Sequence, residues 1–200
     1  MKNKSLIILD WDDTLFPTTW VNMNNIKLNK DNLNQINIEI FKKLDSLIIK
    51  LLKKIYKKGE IIIVTNALLV WINTCLKILP KTKLFFDKYS IKIVSARENY
   101  RTKTRDPTKW KINSFEDINT DDNINILSIG DSISEYFALI ELHKNDKNSN
   151  NKYYKSVKFI NSCRSCDFSI INQQIMVLDS NLNQIINIKE NLDLEFKLKK

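Results

Sequence analysis

The sequence has no apolar run long enough to cross a bilayer: runs such as those at residues 5–9 and 61–64 fall far short of the roughly 20 residues that a helical span requires. No membrane span is therefore expected. The first ten residues, MKNKSLIILD, carry two lysines before an apolar run. That run ends in an acidic cluster rather than a small-residue cleavage site, so the segment does not read as a signal peptide and a cytoplasmic location is the default expectation. The three cysteines are an odd number and only Cys163 and Cys166 lie close together, which argues against a disulfide framework. With a single histidine, His143, placed on a predicted helix away from any cysteine, the soft ligands of a zinc site are missing. The Cys-Arg-Ser-Cys segment stays open between a functional pair and incidental thiols.

What is present suffices for one domain. At 200 residues and 43% hydrophobic, the chain can bury a single core but is too short for two ordinary ones. Its apolar residues come in short bounded runs, which argues against global disorder. The formal charge of +9 is compatible with an acidic partner, a phosphorylated macromolecule or nucleic acid. Much of the excess is lysine scattered through an Asn-, Ile- and Lys-heavy composition, so the nucleic-acid reading has weak support.

Along the chain, SLIIL at 5–9 reads as a strand buried on both faces and ends at Asp10. Apolar residues at largely helical spacing from 35 to 58 predict a long amphipathic helix that Gly59 stops as its C′ residue. A second strand follows at 60–64, then a helical pattern through Trp71, Cys75 and Leu79 that Pro80 ends. A third strand at 91–95, a polar basic stretch, and a short helix starting near Thr108 come next. NILSIG is a fourth strand, the helix 132–143 follows, and a loop at 144–152 leads to a fifth strand at 156–160 and a last helix at about 170–188. This alternation predicts an α/β three-layer sandwich, with a mainly parallel, five-stranded, Rossmann-like sheet between helical layers. In such sheets ligands bind beyond the carboxyl ends of the strands.

Those ends carry polar residues. Asp10, Asp12, Asp13 and Thr14 follow the first strand; like charges so close raise one another's pKa unless a cation lies among them, which suits a hard metal, although a helix cap is an equal alternative. Thr65 and Asn66 follow the second strand and could hold a phosphoryl oxygen or cap the next helix. Asp131 follows the fourth, with Glu135 one helical turn on. Lys109 and Lys111 precede it, and each alone is as easily a surface lysine.

Taken together, in this order and these places, the residues resemble the four motifs of the haloacid dehalogenase superfamily: Asp10-x-Asp12-x-Thr14, Thr65, Lys111 or Lys109, and Asp131 with Glu135. The resemblance spans roughly residues 5–143, with the rest completing the sheet and helices. The combination DWDDTLFPTTW, VTNA, IVSAR, WK and GDS is also similar to a protist set of such proteins of unassigned substrate. The resemblance implies a magnesium-dependent phosphatase. Asp10 would form an aspartyl-phosphate and Asp12 would be the general acid and base. Magnesium would bind Asp10, the backbone carbonyl of Asp12, and Asp131, with Glu135 orienting its waters. Thr65, Asn66 and Lys111 would bind the phosphoryl oxygens, Lys111 being nearer the expected helix than Lys109. The family often has glycine where this chain has Asp13.

There is hardly room for a separate folded cap, so the expected form is a single capless domain over 1–200. An open mouth in this superfamily tends to accompany phosphorylated macromolecules, while the loop 17–34 could close as a lid over small esters. Trp11 and Trp20 either line the entrance or pack inside. The alternative function is a catalytically retired domain that binds a phosphorylated or nucleic-acid partner; such a domain would be free to lose Asp10, Asp12 or Asp131.

Overall fold

A computed structural model describes residues 5–29, 31, 33–161 and 166–198. Strand β1, Ser5–Leu9, is buried along its whole length, as its continuous apolar run requires. Leu6 and Ile8 face one side and Ile7 and Leu9 the other, each side feeding its own core. Burial of each such side chain is worth roughly 1.5–3 kcal/mol. Around β1 lie β2 (Gly59–Thr65), β3 (Lys92–Ser95), β4 (Asn125–Gly130), β5 (Tyr153–Asn161) and β6 (Leu192–Leu198). They form one sheet in the order β3-β2-β1-β4-β5-β6, and every pairing is parallel.

The helices divide between the faces. Against the Ile7/Leu9 side pack α2 (Gln35–Tyr56), α3 (Leu69–Ile78), α4 (Pro80–Tyr89) and α8 (Phe168–Asn187). Against the Leu6/Ile8 side pack α5 (Ala96–Tyr100), α6 (Pro107–Glu116) and α7 (Ile133–Asn145). A short helix α1, Thr18–Met23, precedes α2. The arrangement is a Rossmann-like α/β sandwich, and no described helix is long and apolar enough to cross a membrane.

The sheet has six strands rather than the expected five. The sixth, LDLEFKL, alternates exposed and half-buried residues along the open edge, a short polar-studded pattern suited to an edge strand and easily overlooked after a long helix. Pro80 does not merely end a helix: it opens α4 as its first residue, because Asp45 of α2, 2% exposed, accepts from the Lys81 and Thr82 amides at 2.9 and 2.8 Å and satisfies the new helix start from a distance. The basic stretch after β3 likewise holds α5 rather than loop alone.

Gly59 is not a left-handed helix cap. It begins β2 opposite Ser5, and neither glycine has a positive φ. A Cβ there would stand 1.9 Å from the Ser5 carbonyl oxygen, so close strand approach is what requires glycine. At the other end of the sheet Lys155, wholly buried on β5, donates to the carbonyls of Ile185, Ile186 and Ile188 at 2.8, 3.0 and 2.6 Å and so closes the C-terminus of α8. Cys75 and Cys166 are buried free thiols, and Cys163 lies outside the described residues.

Candidate active site

Strand register brings the predicted residues to one level. Leu9 lies opposite both Ile63 and Ile129, so Asp10, Thr65 and Asp131 emerge within two residues of one another along the carboxyl edge. Strand order reverses between β1 and β4, and it is there that Asp10 and Asp131 stand.

Lys111 on α6 is 2% exposed and points inward, donating to Asp10 Oδ1 at 2.7 Å and to Glu135 Oε1. Lys109, two residues earlier, faces solvent, so Lys111 is the lysine of this site. Burial alone would lower the Lys111 pKa; Asp10 and Glu135 beside it outweigh that and hold the ammonium charged well above its usual range. Glu135 is fixed from its other oxygen as well, since the Ser132 amide donates to Oε2 at 2.9 Å in a capping box that starts α7. Gly130 makes room: a Cβ there would meet Glu135 Cγ at 2.5 Å.

Thr14 joins the two strand ends. Its hydroxyl lies 3.4 Å from Asp10 Oδ2 and 3.3 Å from Asp131 Oδ1, so the two carboxylates share one small space. Burial pushes the Asp10 pKa well above the usual range; Lys111 pulls it back, and Glu135, Asp131 and Asp12 add to the rise. Asp131 is pushed up to about 7 by burial, then by Glu135 and Asp13, with Lys111 opposing. Once ionised, the carboxylates of Asp10, Asp131 and Glu135 exceed the single ammonium by two negative charges.

Asp12 is held apart from this pair by donors from three elements. Thr65 donates to Oδ2 at 2.9 Å, Trp71 Nε1–H to Oδ1 at 3.0 Å, and the Thr18 hydroxyl also to Oδ1. The turn before them depends on Asp13, which sits at φ 53° and accepts from the Thr19 amide at 2.9 Å. That left-handed conformation suits an aspartate, since a short polar side chain can bond locally there. Burial raises the Asp13 pKa, with the Thr19 bonds opposing.

Thr65 thus turns to Asp12. The Asn66 amide donates to the Pro107 carbonyl at 3.3 Å, while its Oδ1 is buried with no donor among the described residues. Trp71 and Thr18 were not singled out from sequence as site residues. Thr18 lies only six residues beyond Asp12, within reach of local reading, whereas Trp71 had no signal because its contact spans 59 positions. Trp11 is fully buried and stacked on Phe16, so it packs rather than lines an entrance. The described part of the loop 17–34 is anchored, with Thr18 and Thr19 bound to Asp12 and Asp13 and with Val21 and Leu28 buried.

No family model, curated protein or solved structure matches the chain. The site therefore rests on its own geometry. A cavity of about 400 Å³ lined by Tyr56, Gly59, Tyr89 and Lys92 opens at the opposite, amino-terminal edge of the sheet, far from the carboxylates. Asp10, Asp131, Glu135 and Lys111 converge at the topological switch point and none of them lines the cavity, so their chemistry marks the site. Among the described residues no three His, Cys, Asp or Glu side chains form a ready-made cation cage.

Proposed function

We propose that the chain is a phosphohydrolase of the haloacid dehalogenase type, forming an aspartyl-phosphate on Asp10. The observation that carries this reading is the buried Lys111 clamped between Asp10 and Glu135, with Asp131 reached through Thr14. An ammonium of this kind offsets the repulsion between a carboxylate nucleophile and a phosphate dianion.

Asp10 would attack phosphorus while Asp12 gives its proton to the leaving oxygen, breaking the ester bond. Asp12 would then take a proton from water as that water attacks the phosphorus of the aspartyl-phosphate, freeing inorganic phosphate and restoring both carboxyls. Thr65, Thr18 and Trp71 orient Asp12 for these transfers. Magnesium fits the donor set, all hard oxygen with two uncompensated charges. The carboxylates of Asp10 and Asp131 and the Asp12 carbonyl would hold it, the shell being completed by water and phosphate oxygen, and it would neutralise charge on the phosphoryl group.

The test is hydrolysis of p-nitrophenyl phosphate with magnesium and with EDTA, beside Asp10→Asn. Release that requires magnesium and is lost in the variant is expected. Full activity of the variant would refute the covalent mechanism, and no release from either protein, with phosphate-ligand binding retained, would favour the retired binder.

A further inference from the structure

The segment from α5 to the start of α6 carries five exposed cations, Arg97, Arg101, Lys103, Arg105 and Lys109, and none forms an ion pair with a described residue. Its two exposed acids leave five cations against two carboxylates, a net charge of +3, and both acids are held on backbone amides rather than on the cations. Glu98 accepts from the Leu69 amide at 3.1 Å and Asp106 caps α6 through the Thr108 amide at 2.9 Å. Arg97 lies over the Trp110 ring and Lys103 over the Tyr100 ring, but with no acid of the described residues paired to any of the five the like charges repel one another, and an acidic ligand would relieve them.

The strip adjoins the mouth of the site. Lys109 and the buried Lys111 share α6, and Asn66 at the end of β2 bonds the Pro107 carbonyl. Exposed apolar side chains stand on the same carboxyl edge: Val70, 65% exposed, at the start of α3, and Ile133 and Phe137, 44% and 45% exposed, on the first turns of α7. Isolated exposed apolar residues are ordinary, but these border a charged strip and a phosphate-type site.

We infer that this rim is the docking surface for a phosphorylated protein segment with acidic residues and an apolar residue beside its phosphate, a proposal that rests on the phosphohydrolase reading above. The cations take the acidic flank and the apolar rim takes the apolar side chain. A polynucleotide end would satisfy the cations and find a stacking surface in Phe137, but it leaves Val70 and Ile133 without an apolar contact, which favours protein.

The experiment compares a phosphoserine peptide flanked by glutamates and a leucine with the same peptide carrying lysines, with a 5′-phosphorylated oligonucleotide, and with p-nitrophenyl phosphate. Wild-type protein and the triple variant Arg101→Glu, Lys103→Glu, Arg105→Glu are assayed side by side. The acidic peptide should be preferred over the lysine peptide. In the variant its kcat/KM should fall about tenfold or more, high salt should narrow the gap, and p-nitrophenyl phosphate turnover should persist. Equal use of both peptides, or a preference for the oligonucleotide that the variant abolishes, would overturn the proposal. Fluorescence anisotropy of the labelled acidic peptide separates the two readings. Binding lost in the variant supports the docking surface even if no substrate is hydrolysed, and absence of binding to the wild type refutes it even if p-nitrophenyl phosphate is turned over.

Discussion

Replacing Asp131 with asparagine should make the metal-free protein more stable while removing its stabilisation by magnesium. Burial and the Glu135 and Asp13 carboxylates push the Asp131 pKa from the ordinary 3.8 to about 7. The folded state therefore holds this proton more tightly than the unfolded chain does, so stability declines as pH rises between these two values and the full cost is present above the higher one. At about 1.4 kcal/mol per tenfold change in proton affinity, ionised Asp131 withholds on the order of 4 kcal/mol at about pH 8, and on the order of 1–2 kcal/mol at about pH 5. Asparagine keeps the shape and can still accept from Thr14, whose hydroxyl lies 3.3 Å from Oδ1, but carries no charge. Urea unfolding in EDTA at both pH values measures the difference, and a second series with magnesium measures the linkage. The variant should exceed wild type most at the higher pH, and magnesium should raise the midpoint of the wild type alone. A variant less stable than wild type in EDTA at the higher pH, or a gain that does not shrink on acidification, would refute the electrostatic account.

Lys111→Met should destabilise by roughly 3–5 kcal/mol near neutral pH, because it leaves Asp10 and Glu135 buried without their cation. The loss should diminish in acid, where a protonated Asp10 no longer needs one, and equal losses at both pH values in urea titrations would contradict this. Gly59→Ala should cost about 3 kcal/mol or more, since its Cβ would overlap the Ser5 carbonyl oxygen and part β1 from β2; an unchanged thermal midpoint would show that the strands separate at no cost. Trp71→Phe keeps the edge contact with Phe16 but removes the N–H that holds Asp12 at 3.0 Å. It should lower kcat/KM about tenfold for alkyl phosphates, whose leaving oxygen needs a proton, and less for p-nitrophenyl phosphate, a contrast that steady-state kinetics with both esters would reveal.

Much of the architecture was legible in local pattern. A continuous apolar run such as SLIIL and the helical spacing from Gln35 onward announce a buried strand and an amphipathic helix from nearest neighbours alone. Their alternation implies a parallel sheet, and the parallel sheet places Asp10, Thr65 and Asp131 along one edge. What sequence left open depends on partners far along the chain. Lys111 rather than Lys109 enters the site because α6 turns that face toward Asp10, 101 positions away. Pro80 starts a helix because Asp45, 36 positions before Lys81, accepts from its first amides. Gly59 serves the approach of two strands rather than a helix end, and β6 forms because β5 offers an unpaired edge to a weakly patterned segment. Periodicity and turn chemistry are properties of a few adjacent residues and can be read in order. Which buried lysine meets which carboxylate, and which orphan amide finds an acceptor, is decided only when distant segments share the same desolvated space.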